Sequence, residues 1–294
     1  MQPILHIKRD DLIHPVVQGN KWRKLHLLLQ RLQDERVRGV LSFGGAYSNS
    51  LHALALAGPL FQLKTAAILR GTQADPTNPT LSDVLANGME IFPVPKVEYD
   101  KKGDSEVVKA IIAQFPGYYV LPEGGATLEG IQGCMAIAEE ILADFQVPHH
   151  QLFIAVPAGT GCTAAGILAG LEGRAQVLVF PAAAYGVNAL TIQEMLVGNG
   201  FPDYKNFQFF PEYVLGKFAA PDKKILAFAH DFETQNGIRL DPFYTSRMLY
   251  GVRDLGEKGF FKAGDVVVAV HTGGLQAWRG ITPCIPLVSP PRVS

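Results

Sequence analysis

The chain carries few charged residues and almost no excess of either sign. Lysine and arginine together number 26 and aspartate and glutamate 27, which leaves a net charge of −1. A nucleic-acid-binding protein normally shows a basic patch or a high pI, so this balance argues against a nucleic-acid partner. Hydrophobic residues make up 48% of the 294 residues, which supports a large core and argues against disorder.

Cysteine is also scarce. The three cysteines are Cys134, Cys162 and Cys284, an odd number at wide spacings and without a metal-ligand pattern. We therefore expect reduced thiols, no metal site and a cytoplasmic location. The first residues, Met1-Gln2-Pro3-Ile4-Leu5-His6-Ile7-Lys8, lack the apolar core of a secretion signal.

One uncharged stretch, residues 152–171, could be mistaken for a membrane span. It is about as long as a membrane span needs to be. However, its first half is a short β-rich run that Pro157 stops, and Gly159 and Gly161 follow. We predict a buried strand, a glycine turn and a buried helix, and no membrane partner.

Short apolar runs alternate with longer helical patterns along most of the chain. The predicted strands are Val40–Phe43, Thr65–Leu69, Glu90–Val94, Tyr118–Leu121, Leu152–Val156, Gln176–Phe180 and Val266–Val270. The predicted helices are Ser48–Ala57, Thr80–Asn87, Ser105–Gln114, Leu128–Phe145, Thr163–Leu171, Asn188–Gly198, Lys223–Gln235 and Pro242–Gly256. Apolar strands separated by helices are typical of parallel sheets covered on both faces, so the sequence predicts an α/β fold.

The order of these segments predicts two lobes, each with a mainly parallel sheet flanked by helices. The first compact series occupies residues 25–121, which we predict to form a small domain. A second series begins near Glu123-Gly124-Gly125. If the lysine at position 21 acts on a ligand held by the second series, residues 1–24 join residues 122–294 in a large ligand-binding domain.

The stretch Gly19-Asn20-Lys21-Trp22-Arg23-Lys24 ends a loop and opens a helical pattern. A lysine held at such a point can act as a nucleophilic amine once it is deprotonated. The positive charges of Arg23 and Lys24 would lower its pKa. The alternative is an ordinary basic helix start exposed to solvent, and this stretch alone does not exclude it.

An anion site is predicted at Ala158-Gly159-Thr160-Gly161-Cys162-Thr163, which follows a buried strand and opens a helix. Glycines let the backbone approach a ligand, and the start of a helix offers unpaired N–H groups. The P-loop lysine is missing, and no acidic residue follows the next strand, so a phosphate without ribose recognition fits best. The alternative is a glycine turn that serves packing alone.

Three other clusters follow predicted strands or open helices. Ser48 and Asn49 would face a ligand at the end of a strand, although Ser48 could equally be a helix N-cap. Tyr244 follows Asp241-Pro242 in a first helical turn, where its phenol could donate a proton or simply be half-buried. His271-Thr272-Gly273-Gly274 ends a strand, and His271 is more typical of a packed residue than of a base.

A lysine on a loop and a phosphate cradle point to one chemistry when they occur together. The lysine would form a Schiff base with an aldehyde cofactor whose phosphate lies in the cradle. Pyridoxal 5'-phosphate fits that description.

In this order the motifs resemble those of fold-type-II pyridoxal-phosphate enzymes, specifically the 1-aminocyclopropane-1-carboxylate deaminase/D-cysteine desulfhydrase family. They are Lys8-Arg9-Asp10-Asp11, Gly19-Asn20-Lys21-x-Arg23-Lys24-Leu25, Tyr47-Ser48-Asn49-Ser50, Gly159-Thr160-Gly161-x-Thr163, Asp241-Pro242-x-Tyr244 and His271-Thr272-Gly273-Gly274. The resemblance extends nearly from end to end. It implies a tryptophan synthase β-like fold, a small amino acid as substrate, and a homodimer.

The same resemblance assigns roles to individual residues. Lys21 would carry the cofactor, Asn49 would contact its ring hydroxyl, and Ser48 and Tyr244 would act on the substrate. The residues that would hold the phosphate are Lys24, Gly159, Thr160, Gly161, Cys162 and Thr163.

Two positions bear on the substrate. This chain has Thr245 and Thr272 where the aminocyclopropane-carboxylate deaminases have Glu and Leu. A hydroxyl rather than a carboxylate near the pyridine nitrogen makes the ring less electron-withdrawing, which favours elimination over ring opening. The resemblance therefore implies D-cysteine desulfhydrase activity. The alternatives are aminocyclopropane-carboxylate deamination and a non-catalytic relative that binds the cofactor, the latter because Phe218 falls where the family has a second tyrosine.

Overall fold

The computed structural model describes residues 3–184, 186–217 and 220–281, and these contain two parallel sheets. The first has five strands in the order β1-β11-β6-β7-β8. Its strands are β1 (Ile4–Lys8), β6 (Leu152–Ala158), β7 (Gln176–Pro181), β8 (Phe207–Phe209) and β11 (Val266–Val270). Because β1 pairs with β11, the first residues of the chain lie in the same sheet as residues near its far end.

The second sheet has four strands in the order β4-β3-β2-β5. They are β2 (Gly39–Gly44), β3 (Lys64–Arg70), β4 (Glu90–Val94) and β5 (Tyr118–Leu121). All of them lie inside the predicted small domain, whose boundaries remain a prediction. A short antiparallel pair, β9 (Gly216–Lys217) and β10 (Ala220–Pro221), lies apart from both sheets. Phe218 and Cys284 are outside the described residues.

Helices cover both sheets. They are α1 (Asn20–Asp34), α2 (Asn49–Ala57), α3 (Pro79–Ala86), α4 (Lys96–Lys101), α5 (Glu106–Ile112), α6 (Leu128–Asp144), α7 (Cys162–Leu171), α8 (Ala189–Gly198), α9 (Lys223–Asn236) and α10 (Thr245–Glu257). The predicted strands and helices are confirmed with shifted ends, and β1, β8, β9, β10 and α4 are additional. The α/β fold with two parallel sheets is confirmed.

The uncharged stretch at 152–171 divides into β6, a turn and α7, as predicted. Every residue of α7 is buried. Gly166 and Gly170 let α7 approach α6 closely, because a Cβ on Gly166 would lie 2.4 Å from the Cβ of Cys134. In the described part of the chain, no helix is both long and apolar enough to cross a membrane.

Helix α1 is fastened to both parts of the molecule. Its leucines, Leu25, Leu28, Leu29 and Leu32, pack in the core beneath the four-stranded sheet. On another side Arg23 Nε donates to Asp10 at 2.7 Å and its terminal nitrogens donate to Glu140 at 2.8 Å. The carbonyl oxygen of Arg23 also lies against Gly133 of α6, where a Cβ would come within 1.8 Å. The first turn of α1, which carries Lys21, is therefore held between the two sheets.

Candidate active site

A cavity of about 450 Å³ lies where the carboxyl ends of strands from both sheets face each other. In open α/β folds this edge is the usual place for ligands. The structure brings most of the predicted site residues to its wall: Lys21, Lys24, Ser48, Asn49, Gly159, Thr160, Gly161, Thr163, Tyr244 and Thr272. Cys162 and Thr245 are not on the wall, so the geometry does not support their predicted contacts with a cofactor.

The loop that precedes Lys21 is placed by a close backbone contact. Gly19 has a φ of 63°, and a Cβ there would lie 2.1 Å from the carbonyl oxygen of Thr272. Only glycine fits this combination of φ and space. The contact joins the loop before α1 to the loop after β11, which is how Lys21 and Thr272 reach the same cavity.

A chain of hydrogen bonds connects Lys21 to the start of α7. The amine of Lys21 donates to Asn20 Oδ1 at 3.0 Å. Asn20 Nδ2 donates in turn to Thr163 Oγ1 at 2.9 Å. Residues 143 positions apart in the sequence therefore fix the amine relative to the glycine turn.

The amine of Lys21 is close to neutrality at physiological pH. Burial, and after it the positive charge of Lys24, lowers the pKa of Lys21 to about 7 from the ordinary value of 10.5. The sequence prediction named Lys24 and Arg23 as the cause. Burial is the larger effect, and Arg23 is turned away to Asp10 and Glu140. A buried amine with a pKa near 7 is suited to nucleophilic attack and to accepting a proton.

The turn before α7 has the properties of a phosphate site. Gly161, with a φ of 88°, occupies the N-cap of α7, so unpaired N–H groups of the first turn face the cavity. The buried hydroxyl of Thr160 has no hydrogen-bond partner among the described residues. A buried polar group without a partner costs free energy unless a ligand supplies one.

Lys24 adds an uncompensated positive charge beside this turn. It is 4% exposed, and its amine donates to the carbonyl oxygen of Gly124 at 3.2 Å. Within the described ranges, neither Lys21 nor Lys24 forms an ion pair with a carboxylate. Two enclosed amines, a free threonine hydroxyl and a helix start fit an aldehyde cofactor with a phosphate group.

Ser48 has both of the roles that were considered for it. It is the N-cap of α2, where its hydroxyl accepts the N–H of Leu51 at 3.2 Å, and it also lies on the cavity wall. Asn49 follows it, and its Oδ1 accepts Nε2 of Gln276 at 2.6 Å. Gln276 Oε1 accepts the hydroxyl of Thr80 at 2.7 Å. Sequence reasoning missed Gln276 and Thr80, whose positions follow only from the folded chain.

Asp241 organises the segment around Tyr244. Its carboxylate accepts the N–H groups of Phe243, Tyr244 and Thr245, so α10 begins at Thr245 rather than at the predicted Pro242. The hydroxyl of Thr245 also donates to Asp241, at 2.6 Å, which explains why it does not face the cavity. Burial, and then the charge of Asp241, raises the pKa of Tyr244, so its phenol stays protonated.

His271 is a packed residue, in agreement with the simpler interpretation. It is fully buried, its Nε2 lies 2.7 Å from the carbonyl oxygen of Arg239, and its Nδ1 accepts the N–H of Gly273 at 3.2 Å. These contacts shape the Thr272-Gly273-Gly274 turn. They leave the imidazole no role at the cavity.

Two charged residues on the cavity wall were missed from the sequence. Arg70 is the last residue of β3, and Glu123 follows β5. A charged side chain at the carboxyl end of a buried parallel strand is the signal that could have identified both. Strands at this edge can end in a single charged residue as well as in a glycine cluster.

Comparison with known proteins agrees with this site. A family model described as pyridoxal-phosphate dependent enzyme matches residues 2–273. A D-cysteine desulfhydrase of Yersinia enterocolitica is 27% identical over 298 residues, covering 93% of this chain and 87% of that protein. The mitochondrial bifunctional D-cysteine desulfhydrase/1-aminocyclopropane-1-carboxylate deaminase of Arabidopsis thaliana is 28% identical over 293 residues, covering 92% and 72%.

Among solved structures, an ACC deaminase homologue is similar to this chain with a TM-score of 0.77 and 27% identity. The match covers 93% of this chain and 85% of that one. The family match extends over both sheets and ends at the turn after β11, so it includes the lysine loop, the glycine turn before α7 and Thr272. The cavity and its enclosed amines agree with this match, and the chain belongs to the family of pyridoxal-phosphate dependent enzymes.

Proposed function

We propose that this enzyme is a lyase that acts on a small amino acid with a leaving group on its β-carbon, with D-cysteine as the first candidate substrate. Relatives named D-cysteine desulfhydrase and aminocyclopropane-carboxylate deaminase support a lyase or deaminase of this family. The observation that carries the proposal is Lys21, an enclosed amine with a pKa lowered to about 7 in a cavity that also presents Ser48 and Tyr244. D-Cysteine would yield pyruvate, ammonia and sulfide.

Different residues would hold the cofactor and move the proton of the substrate, according to their chemistry. Lys24, Thr160 and the start of α7 would hold the phosphate, and Lys21 would hold the cofactor covalently. When bound, pyridoxal phosphate supplies a ring that withdraws electrons from the α-carbon of the substrate. The amine of Lys21 would also take the α-proton of the substrate.

Ser48 and Tyr244 would serve the substrate, and Asn49 the ring hydroxyl of the cofactor. Ser48 and the first N–H groups of α2 offer donors to its carboxylate. Gln276 Nε2 donates to Oδ1 of Asn49, and the Nδ2 group of Asn49 remains as a donor. Tyr244 holds its phenolic proton at neutral pH and can donate it near the leaving group.

The second candidate is deamination of aminocyclopropane carboxylate, which the name of the bifunctional relative favours. Of the two threonines that pointed to the desulfhydrase, only Thr272 lies on the cavity wall. Thr245 bonds to Asp241, so its hydroxyl does not support a choice between the two reactions. The preference for D-cysteine therefore rests on Thr272 and on the resemblance. The homodimer and the cytoplasmic location are proposals on the same basis.

The test is pyruvate release from D-cysteine, L-cysteine and D-β-chloroalanine, and 2-oxobutanoate release from aminocyclopropane carboxylate, measured side by side on the cofactor-loaded enzyme. We expect D-cysteine to give the highest kcat/KM. Turnover of aminocyclopropane carboxylate alone would replace the proposal with the second candidate. No turnover of any of the four would remove both.

A further inference from the structure

Arg70 is a cation on the active-site wall that has no role so far. It ends β3, beside the strand β2 that leads into the Ser48 loop. Its Nη2 lies 3.5 Å from the point where a Cβ on Gly45 would be. Arg70 is half-buried and lines the cavity. Its guanidinium is therefore within the space that a substrate would enter.

The carboxylates near Arg70 are bound to other cations. Glu123, the one carboxylate on the described part of the wall, accepts from Lys102 at 2.7 Å. Asp100 accepts from Lys96 at 2.6 Å. Arg70 itself lies over the ring of Tyr99 at 5.8 Å and makes no ion pair within residues 3–184, 186–217 and 220–281. Asp100 is near enough to feel the charge of Arg70, but it does not bond to the guanidinium.

The other charges of the site already have assignments. Lys21 would be bonded covalently to the cofactor, and the charge of Lys24 would be balanced by the phosphate. The carboxylate of an amino acid finds donors at the start of α2, where Asn49 and Ser50 both line the cavity and their N–H groups have no partner inside the helix. Arg70 stands on a neighbouring strand, outside that helix start. One positive charge remains for another part of the substrate.

We propose that Arg70 contacts the side-chain end of the substrate, and that the enzyme favours amino acids whose β-substituent is an anion or leaves as one. This inference rests on the proposed lyase function. In β-elimination the α-hydrogen leaves as a proton to Lys21, a Cα–Cβ double bond forms, and the bond from Cβ to the substituent breaks. The substituent departs with the electron pair, and water then releases pyruvate and ammonia. Arg70 stabilises the negative charge that the substituent carries away.

The experiment measures binding rather than turnover. Two ligands, 2-methylaspartate and its side-chain amide 2-methylasparagine, have the same shape and no α-hydrogen, so elimination cannot begin. Their dissociation constants are measured by calorimetry on the cofactor-loaded enzyme, wild type and Arg70→Gln. We expect the wild type to bind the acid about tenfold more tightly than the amide, and the variant to lose that preference.

Two variants serve as comparisons. Arg70→Lys keeps the charge but not the planar fork, and we expect it to retain part of the preference. Arg253→Gln removes an arginine that also lies over an aromatic ring, that of Phe228, but on α10 and away from the cavity wall. It should leave both dissociation constants unchanged.

The outcomes separate this inference from the proposed function. Equal weakening of both ligands in Arg70→Gln would show that Arg70 binds the α-carboxylate and would overturn the inference, as would no weakening or no binding by the wild type. A charge preference that depends on Arg70 in an enzyme that releases pyruvate from no amino acid would support the inference as a statement about binding. It would also count against the lyase function.

Discussion

The two sheets contribute unequal walls to the cavity. On the five-stranded side, the turn before α7 is backed by a fully buried helix, and Thr163 and Thr272 are 4% and 7% exposed. On the four-stranded side, the residues from Gly45 to Ser50 are half-buried or exposed, and Tyr47 is 48% exposed. The wall proposed to hold the phosphate is thus built into the core, whereas the wall proposed to face the substrate consists of a loop and a helix start.

The difference follows from packing. Helices α6 and α7 touch through glycines, which lets their backbones pack closely. At the start of α2, Ser48 and Asn49 line the cavity and are only half-buried. The buried wall suits a phosphate, which binds to fixed donors, and the more exposed wall suits a substrate, which must enter and leave. The comparison therefore predicts that changes on the first wall affect cofactor binding and stability, whereas changes on the second affect substrate selection.

The largest effect is expected at Lys21, which both walls share. Lys21→Ala removes the amine that would bind the cofactor and take the α-proton, so pyruvate release should fall by at least about 1,000-fold. The visible absorbance of the bound cofactor should be lost as well. Lys101→Ala, at an exposed lysine of α4, is the control. Full activity of Lys21→Ala would contradict the assignment of this lysine.

The rigidity of the cofactor wall can be broken at Gly166. In Gly166→Ala the new Cβ would lie 2.4 Å from the Cβ of Cys134 and 2.5 Å from the carbonyl oxygen of Ile131. We expect a loss of about 2 kcal/mol in the free energy of unfolding, measured in urea. Gly198→Ala is the matched control, because a Cβ there meets nothing within 4 Å. It should be neutral or slightly stabilising, and equal losses in both variants would show that close packing is not the cause.

Lys24→Met separates binding from stability on the same wall. Without the amine, the dissociation constant of the cofactor should rise roughly 10- to 100-fold, because hydrogen bonds to charged groups are among the stronger ones. The cofactor-free protein should become no less stable, since the variant removes a buried charge that has no carboxylate partner. Fluorescence titration gives the first quantity and urea unfolding the second. Unchanged cofactor affinity would remove Lys24 from the phosphate site.

The lowered pKa of Lys21 predicts a pH dependence for the cofactor-free protein. Between pH 7 and 10.5 the unfolded chain keeps a proton on this amine that the folded chain has lost. Stability should therefore rise with pH through this window. Urea unfolding at several pH values, compared with Lys21→Met, measures the contribution of this residue. Identical slopes in both proteins would mean that the amine is not buried enough to shift.

The smallest effect, on the free energy of unfolding, is expected at the surface ion pair of Arg279 and Asp83, which joins the two walls. Arg279, in the turn that follows β11, donates to Asp83 of α3 at 3.2 Å through Nη1 and through a second, shorter bond. Both side chains are substantially exposed, so Arg279→Gln should cost less than about 1 kcal/mol in urea unfolding. A larger loss would mean that this pair, rather than α1, holds the walls together.

Much of the site could be predicted because it depends on short stretches of sequence. Glycines after buried strands marked the Gly159–Gly161 turn and the loop before Ser48, and the lysine at the start of α1 stood out beside Gly19. Thr245 is not on the cavity wall, and its hydroxyl donates to Asp241, so its contact with the cofactor stays a prediction. Gln276 and Thr80 could not be predicted, because the hydrogen bonds that tie them to Asn49 join residues distant in the sequence.

The sequence by itself determined the alternation of strands and helices and the chemistry available at each strand end, since periodicity and glycine conformation are local properties. Only the tertiary structure decided which ends meet. The pairing of β1 with β11, the contact of Gly19 with Thr272 and the burial that lowers the pKa of Lys21 all depend on segments far apart in the chain. Burial and charge at a site are sums over neighbours, and neighbours are known only after the chain has folded.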